Sequence, residues 1–228
     1  VSADSISIVK RDSFYAINNL EIKSHNTNNG QKRLSIEAVG TNLLISGNYN
    51  FATIFPDLKR ILKLNFPHHT RNWPEPNTTS LSSNKFKFDL NLDRETNILS
   101  LLGLEDIYPV DFRAKGNFDG EEQLLDLVAT TGILKIKDNY LFDLGISLSS
   151  KGNQADLYIH IDSSKISGRE FKSFDFGAKI KGDTSSLNIE LPGLSRSSDI
   201  IAIQLNLAPH QKGYALNIKN SNLLIGGR

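Results

Sequence analysis

Apolar and polar residues alternate in short runs through most of this chain. Residues 86–92 read Phe-Lys-Phe-Asp-Leu-Asn-Leu, and residues 141–148, 155–161 and 201–207 alternate in the same way. Successive side chains of a β-strand point to opposite faces, so each run predicts a strand with one apolar face and one polar face. Short turn-forming segments separate the runs, as in hairpins. The pattern therefore predicts a long antiparallel meander.

The predicted strands fall into two groups. The first group spans residues 5–9, 14–23, 33–39, 42–47 and 85–92. From residue 110 onward the chain is almost entirely strand and turn, with predicted strands at residues 110–118, 123–130, 132–137, 140–149, 156–162, 165–168, 174–181, 186–191, 200–207, 213–219 and 222–226.

Two segments depart from the alternation and carry apolar residues at helical spacing. The first, residues 54–66, predicts an amphipathic helix of about 10–12 residues that ends at Pro67. The second, residues 96–102, predicts a short helix that stops at Gly103, a residue suited to the position after a helix. Residues 68–83 between the two are predicted to be loop.

The large apolar residues share one parity on each strand and so form a stripe on one face of the predicted sheet. A sandwich core is one explanation of the stripe, but a sandwich of this many strands needs long Greek-key connections. We therefore predict a mainly β fold: a long curled antiparallel meander sheet with an open groove and two short amphipathic helices, forming a single elongated unit over residues 1–228. The stripe residues expected to line the groove are Phe86, Phe88, Leu90, Val110, Phe112, Leu125, Leu127, Phe142, Leu144, Ile146, Leu157, Ile159, Ile161, Phe174, Phe176, Ile180, Leu187, Ile189, Ile201, Ile203 and Leu205.

The composition agrees with an elongated shape. Hydrophobic residues make up 39% of the 228 residues. A compact domain of this size buries a large fraction of its surface and usually carries more of them. The 26 basic and 25 acidic residues form no basic block, which argues against a nucleic-acid partner. The chain has no cysteine, and this excludes disulfides and thiolate chemistry.

Sequence motifs for catalysis or metal binding are missing. His68 and His69 are adjacent, point apart on an extended chain and have no identifiable third ligand, so no metal site is predicted. No spacing marks a nucleophile elbow, a phosphate loop or a carboxylate pair, so we expect neither an enzyme nor a cofactor. Trp73, the single tryptophan, is interpreted as a cap over an edge of the fold. A carbohydrate platform and a membrane-interface anchor are the alternatives for it.

Three glycines lie inside predicted strands, at Gly116, Gly145 and Gly177. Glycine within a strand marks either a bend or the close approach of a neighbouring group. Both explanations are open at this point.

The order of elements resembles the TamB family of Bacteroidota-type sequences and the related AsmA-like proteins. The resemblance covers nearly the whole chain and is carried by residues 44–51, the helix at 54–66, and residues 86–92, 96–103, 110–119, 200–207 and 214–225. It implies a periplasmic β-sheet whose hydrophobic groove carries phospholipid between the inner and outer membranes. It also implies a role in outer-membrane biogenesis with a TamA-like outer-membrane barrel.

The same resemblance implies that this chain is a middle segment. It contains no apolar stretch near 18 residues, no signal peptide and no methionine, and it begins at Val1. We therefore expect an inner-membrane anchor and a barrel-binding region outside this chain, and self-association of the exposed apolar face. The alternatives are a chaperone-like scaffold that pairs strand edges with outer-membrane proteins, and a carbohydrate-binding or adhesin-like β-sandwich.

Overall fold

The computed structural model describes residues 1–10, 13–27, 29–74, 83–96, 98–101, 104, 106–192, 200–210, 213–219 and 221–224. Within these ranges the chain forms one long antiparallel sheet that does not close on itself. The predicted fold class is confirmed. Of the described helices, none is both long enough and apolar enough to cross a membrane.

Seventeen strand segments and three helical segments make up the described chain. In chain order they are β1 Ser2–Lys10, β2 Ser13–Asn26, β3 Lys32–Ala38, β4 Thr41–Asn48, α1 Phe51–Asn65, α2 Pro67–Thr70, β5 Lys85–Leu92, α3 Ile98–Leu101, β6 Ile107–Val110, β7 Phe112–Asp119, β8 Leu124–Ile136, β9 Asn139–Lys151, β10 Gln154–Ile161, β11 Ser163–Ile166, β12 Arg169–Phe171, β13 Phe174–Lys181, β14 Thr184–Pro192, β15 Ile200–His210, β16 Gly213–Ile218 and β17 Asn222–Leu224.

Each strand pairs with the strands that precede and follow it along the chain, as a meander requires. Some neighbouring segments are two halves of one interrupted strand: β6 and β7 both pair with β8, and β10 and β11 both pair with β9. In the same way, β12 and β13 continue one another, and β16 and β17 both lie beside β15. In the described part of the chain, β1 forms one edge of the sheet and β16 with β17 forms the other.

A row of small and acidic residues crosses the sheet where these strands are interrupted. The register on both sides aligns Asp111, Gly132, Asp143, Asp162 and Ser173 on successive strands. Two of them have left-handed backbone, with φ of 55° at Asp111 and 50° at Asp143. We call this row the crease. It separates a small lobe, formed by β6, β11, β12 and the adjoining ends of β8 and β9, from the main sheet.

The crease corrects two strand predictions. The single strand expected at 110–118 is interrupted at Asp111, between β6 and β7. Separate strands were expected at 123–130 and 132–137, but the structure has one continuous strand, β8. Its register with β9 is the same on both sides of Gly132, so the glycine interrupts the pairing without ending the strand.

Helix α1 begins earlier than predicted. The side-chain oxygen of Asn50 accepts a hydrogen bond from the Ala52 N–H at 3.0 Å, which caps the helix at its first turn. The helix ends at Asn65, and the Phe66 N–H still donates to the Leu62 carbonyl at 2.8 Å. One turn of helix, α2, then occupies the start of the predicted loop.

The second predicted helix, residues 96–102, is wrong in extent. The structure has a single turn there, α3, which contacts β2. Thr96 lies two residues before this turn, and its hydroxyl is hydrogen-bonded to the Thr41 hydroxyl at 2.7 Å. Leu102 and Gly103, like residues 75–82 of the predicted loop, lie outside the described residues. Four apolar residues at helical spacing are too few to propagate a helix without tertiary support.

Candidate functional site

The pairing registers align apolar residues into continuous rows across the sheet. We call the longest the central row, and each of its members lies directly opposite the next on the neighbouring strand. It consists of Ile22, Ile36, Leu43, Leu90, Ala114, Ala129, Ile146, Ile159, Phe176, Ile189 and Ile203. At ~4.8 Å between strands, the central row is about 50 Å long.

A second row runs beside the central row, two residues away along each strand. We call it the second row; it consists of Leu34, Ile45, Phe88, Gly116, Leu127, Leu148, Leu157, Ala178, Leu187, Leu205 and Ile218. Together the rows form an apolar face in which no polar side chain interrupts either line.

The residues predicted to line a groove are shielded from solvent without being enclosed. Every one of them is half-buried, except Leu144 and Ile180, which are buried. Ile203 and Phe176 of the central row show the usual state, half-buried at the middle of their strands. Neighbouring side chains of the same sheet and, at one end of strands β9, β10 and β13, helix α1 with Phe66 account for this shielding, because no second sheet covers the described residues. A sandwich core would bury these side chains more completely.

Sequence analysis missed the part of the apolar face that the first strands supply. Ile22, Ile36 and Leu43 extend the central row by three strands. At the opposite edge, Ile218 on β16 continues the second row and Leu216 lies opposite Leu207; they are 68% and 54% exposed. The alternation of apolar and polar residues in these strands could have identified this part of the face; Leu34, Ser35 and Ile36 are one example.

Two predicted lining residues, Val110 and Phe142, lie beyond the crease in the small lobe. Phe142 stacks on Tyr140, with 6.3 Å between ring centroids. Lys135 lies over the rings of Tyr140 and Tyr108 at 5.8 and 5.7 Å. The left-handed residues of the crease interrupt the alternation on which the parity argument depends. The structure therefore groups these two residues with an aromatic and cationic cluster, apart from the main rows.

Helix α1 covers one end of the apolar face. The Asn65 side chain donates to Ser150 Oγ at 3.1 Å and to the Ile61 carbonyl at 3.0 Å. Phe66, just after the helix, packs on the buried cluster of Ala155, Ala178 and Ile180. These contacts fix the helix against the ends of β9, β10 and β13.

A polar anchor holds the start of the same helix. Asp57 is buried and its Oδ2 accepts a hydrogen bond from Asn84 Nδ2 at 2.7 Å, while Arg60 lies 3.5 Å from its Oδ1. The main-chain N–H of Asn50 also donates to Asn84 Oδ1 at 2.6 Å. A buried carboxylate needs such partners, so this network fixes the helix entry.

A chain of aromatic ring contacts runs from Phe51, the first residue of α1, through Tyr49 to the sheet. Phe86 stacks on Phe118 with 5.1 Å between centroids, and Tyr49 meets Phe86 edge-on at 6.0 Å. Burial raises the pKa of the Tyr49 hydroxyl, so this residue stays uncharged at neutral pH. This end of the apolar face is therefore closed by packed side chains.

The opposite face of the sheet is charged and hydrogen-bonded. Lys115 pairs with Asp89 at 3.0 Å, and the Ser149 hydroxyl donates to Asp126 at 2.7 Å. The two faces therefore differ in polarity as the alternation predicted.

The other sequence candidates do not form a site. His68 and His69 belong to α2, and no group of three or more metal-ligating residues is found in the described ranges. Trp73 as a residue is 40% exposed, and Lys59 Nζ lies over its ring at 5.8 Å, so a sugar could not stack on that side of the ring.

Of the three strand glycines, one is explained by close approach. A Cβ at Gly116 would lie 2.5 Å from the Phe88 ring and 2.3 Å from the Asp126 carbonyl oxygen. A Cβ at Gly145 would meet nothing within 4 Å. Gly116 thus makes room for an aromatic ring in the second row.

The described geometry is an amphipathic open sheet, and helix α1 covers its apolar face at one end of strands β9, β10 and β13. No family model, no curated protein and no solved structure matches this chain.

Proposed function

We propose that the apolar face binds the acyl chains of phospholipids and acts as a segment of a lipid-conducting groove. The observation that carries the proposal is the central row, an unbroken line of apolar residues across eleven strands. Each CH₂ group of an acyl chain removed from water contributes about 0.8 kcal/mol. A surface without directional polar contacts provides this energy equally at every point, so a bound lipid can slide.

The dimensions support a conduit more than a pocket. An acyl chain occupies about half of the ~30 Å hydrocarbon core of a bilayer, roughly 15 Å. The central row is about three times longer, given ~4.8 Å per strand. The second row also continues to the exposed Ile218 on the edge segment β16, so this row reaches the edge of the sheet without a polar barrier.

The biological setting belongs to the same proposal. The resemblance to TamB and AsmA-like proteins supports a periplasmic location, tethering to the inner membrane through another segment, and action with a TamA-like barrel in outer-membrane biogenesis. A protein of this kind has no catalytic role, and its cargo would be phospholipid.

The test is native mass spectrometry with lipid extraction, on protein purified without detergent. The variant Ile159→Asp with Phe176→Asp places two charges directly opposite each other in the central row. The matched control, Val128→Asp with Thr130→Asp, places the same charges on exposed positions of the other face. We expect phospholipid on the wild type and the control and loss of it from the first variant. Circular dichroism checks that strand content is unchanged.

A lipid-free wild type, or equal lipid on both folded variants, would contradict the proposal. Ala129→Phe is a second variant that introduces no charge, and it obstructs the same row from its floor. We expect this variant to slow the transfer of phospholipid along the groove, and this result can be obtained even if the charged variant does not fold.

One observation favours a second function, the pairing of an edge strand with an extended segment of another protein. In the described part of the chain, β16 pairs only with β15, and its apolar side chains Leu216 and Ile218 are exposed. An unpaired edge of this kind can accept a further strand. Protein crosslinks obtained from Leu216 but not from Ile159 would support this function over lipid transfer.

A further inference from the structure

The polar face, opposite the proposed lipid groove, contains a depression of about 500 Å³ over strands β9, β10, β13, β14 and β15. Tyr158, Gly177 and Asn188 lie opposite one another on three adjacent strands. Because glycine has no side chain, a notch remains between the tyrosine ring and the asparagine amide. The depression includes this notch, and Gly177 is among its lining residues.

The tyrosine ring beside the notch is held in place. The Tyr158 hydroxyl donates a hydrogen bond to Asp175 Oδ1, which also lies 2.8 Å from His160 Nδ1. The hydrogen bond to Asp175 raises the pKa of Tyr158, so its hydroxyl stays protonated. Tyr158 as a residue is nevertheless 49% exposed. A fixed, exposed aromatic ring loses little entropy when a ligand stacks on it.

Polar side chains that can form further hydrogen bonds lie around the Tyr158 ring. Asp156, Lys179 and Gln204 line the depression, and in the described part of the chain their side chains have no hydrogen-bond or ion-pair partner. Asp156 and Lys179 lie opposite each other on β10 and β13. The lining therefore offers amides, one carboxylate and ammonium groups, a mixture of donors and acceptors that does not suit a polyanion.

We propose that this depression binds an oligosaccharide. The C–H face of a sugar ring packs on an aromatic face, and its hydroxyls both donate and accept hydrogen bonds, which matches Tyr158 with Asn188 and Gln204 around it. The volume lies within the roughly 300–1,000 Å³ range of small-molecule sites. This site lies on the opposite face from the lipid groove, is separate from Trp73, and does not depend on lipid binding.

The test probes the intact chain on a printed array of neutral, N-acetylated and acidic oligosaccharides, followed by calorimetry with the strongest binder. Gly177→Val fills the notch, and it should fold because an added Cβ meets only Asn188 Cβ, at 3.8 Å. Gly145→Val is the matched control, a strand glycine with nothing within 4 Å. We expect Gly177→Val and Tyr158→Ala to weaken binding by about tenfold or more, as loss of a stacking contact does, and Gly145→Val to leave it unchanged.

Absence of any oligosaccharide binding by the wild type at millimolar concentration would overturn the proposal. Equal binding by Gly177→Val and the wild type would also overturn it. The lipid content of Gly177→Val is measured in parallel and should equal that of the wild type, so failure of this proposal is distinguishable from failure of the lipid proposal.

Discussion

Asn65, the last residue of α1, donates a side-chain hydrogen bond to Ser150 near the end of β9, at 3.1 Å and across 85 residues of sequence. Both residues are buried. The same amide nitrogen lies 3.4 Å from the Gly152 carbonyl oxygen in the turn that follows β9. This polar contact, together with Phe66, fastens the only described helix longer than one turn to the end of the apolar face.

Substitution of Asn65 by alanine should therefore destabilise the fold. The change leaves the Ser150 hydroxyl and the Gly152 carbonyl without this donor in a buried place, which costs about 1–3 kcal/mol. Urea unfolding of Asn65→Ala measures the effect, and a double-mutant cycle with Ser150→Ala isolates the pair. Ser147→Ala, on the exposed face, is the control and should change the free energy of unfolding by less than about 0.5 kcal/mol. An Asn65→Ala variant as stable as this control would show that the helix is held by other contacts.

Substitution of Gly116 by alanine should also destabilise the sheet. The added methyl group would overlap the Phe88 ring and the Asp126 carbonyl oxygen, and overpacking of this kind costs about 1–3 kcal/mol. Gly145→Ala, where the methyl group has open space, should be neutral or slightly stabilising. Thermal unfolding of the two variants provides the comparison, and equal stability would contradict the close packing of Phe88 over Gly116.

The amphipathic sheet could be predicted from the sequence because alternation determines which side of a strand each residue faces. Ile159, Phe176 and Ile189 were assigned to one face by parity alone, and the registers align them as direct neighbours. The pairing register is strongly specified where one face is apolar, since a slip of one residue would move the apolar side chains of that strand to the other face. The meander order also followed from the short turns between runs.

The crease and the extent of the helices could not be predicted in this way. A left-handed backbone at Asp111 or Asp143 leaves no mark in the apolar pattern, although it removes Val110 and Phe142 from the main rows. The start of α1 depends on the cap at Asn50 and on the distant Asn84, contacts that local periodicity does not contain. The depression beside Tyr158 likewise depends on which residues meet across three strands.

Stability should depend on pH through Asp119. A hydrogen bond from Lys85 and the backbone N–H of Glu122 are the main causes that hold the pKa of this carboxyl below its usual value. A carboxyl with a lowered pKa in the folded state stabilises the fold above its ordinary pKa of about 3.9, and this contribution disappears as pH falls through the folded-state value. Asp119→Asn should therefore be less stable than the wild type at pH 5–7, and the gap should close below about pH 4.

Urea unfolding between pH 7 and pH 3 measures that gap. A gap that stays constant or widens on acidification would contradict the role given to the Asp119 carboxylate.

Ala129→Phe should obstruct movement along the groove without removing its apolar character. Ala129 is buried in the central row between Ala114 and Ile146, where small side chains keep the floor low. A phenyl ring there occupies the path of an acyl chain, and overpacking is expected to cost about 1–3 kcal/mol of stability. In a vesicle-to-vesicle transfer assay with fluorescent phospholipid, the transfer rate should fall while lipid remains bound on both sides of the substitution. Val128→Phe, on the other face, should transfer at the wild-type rate.

The most direct test places a photo-crosslinking amino acid at single positions of the purified chain in the presence of phospholipid vesicles. Positions Leu43, Ile159 and Ile203 sample three well-separated strands of the central row, and Lys87 and Val128 sample the opposite face. The account predicts lipid adducts at all three row positions and none at the two control positions. Equal adduct formation on both faces of the sheet, or an absence of adducts along the central row, would contradict a lipid-conducting groove.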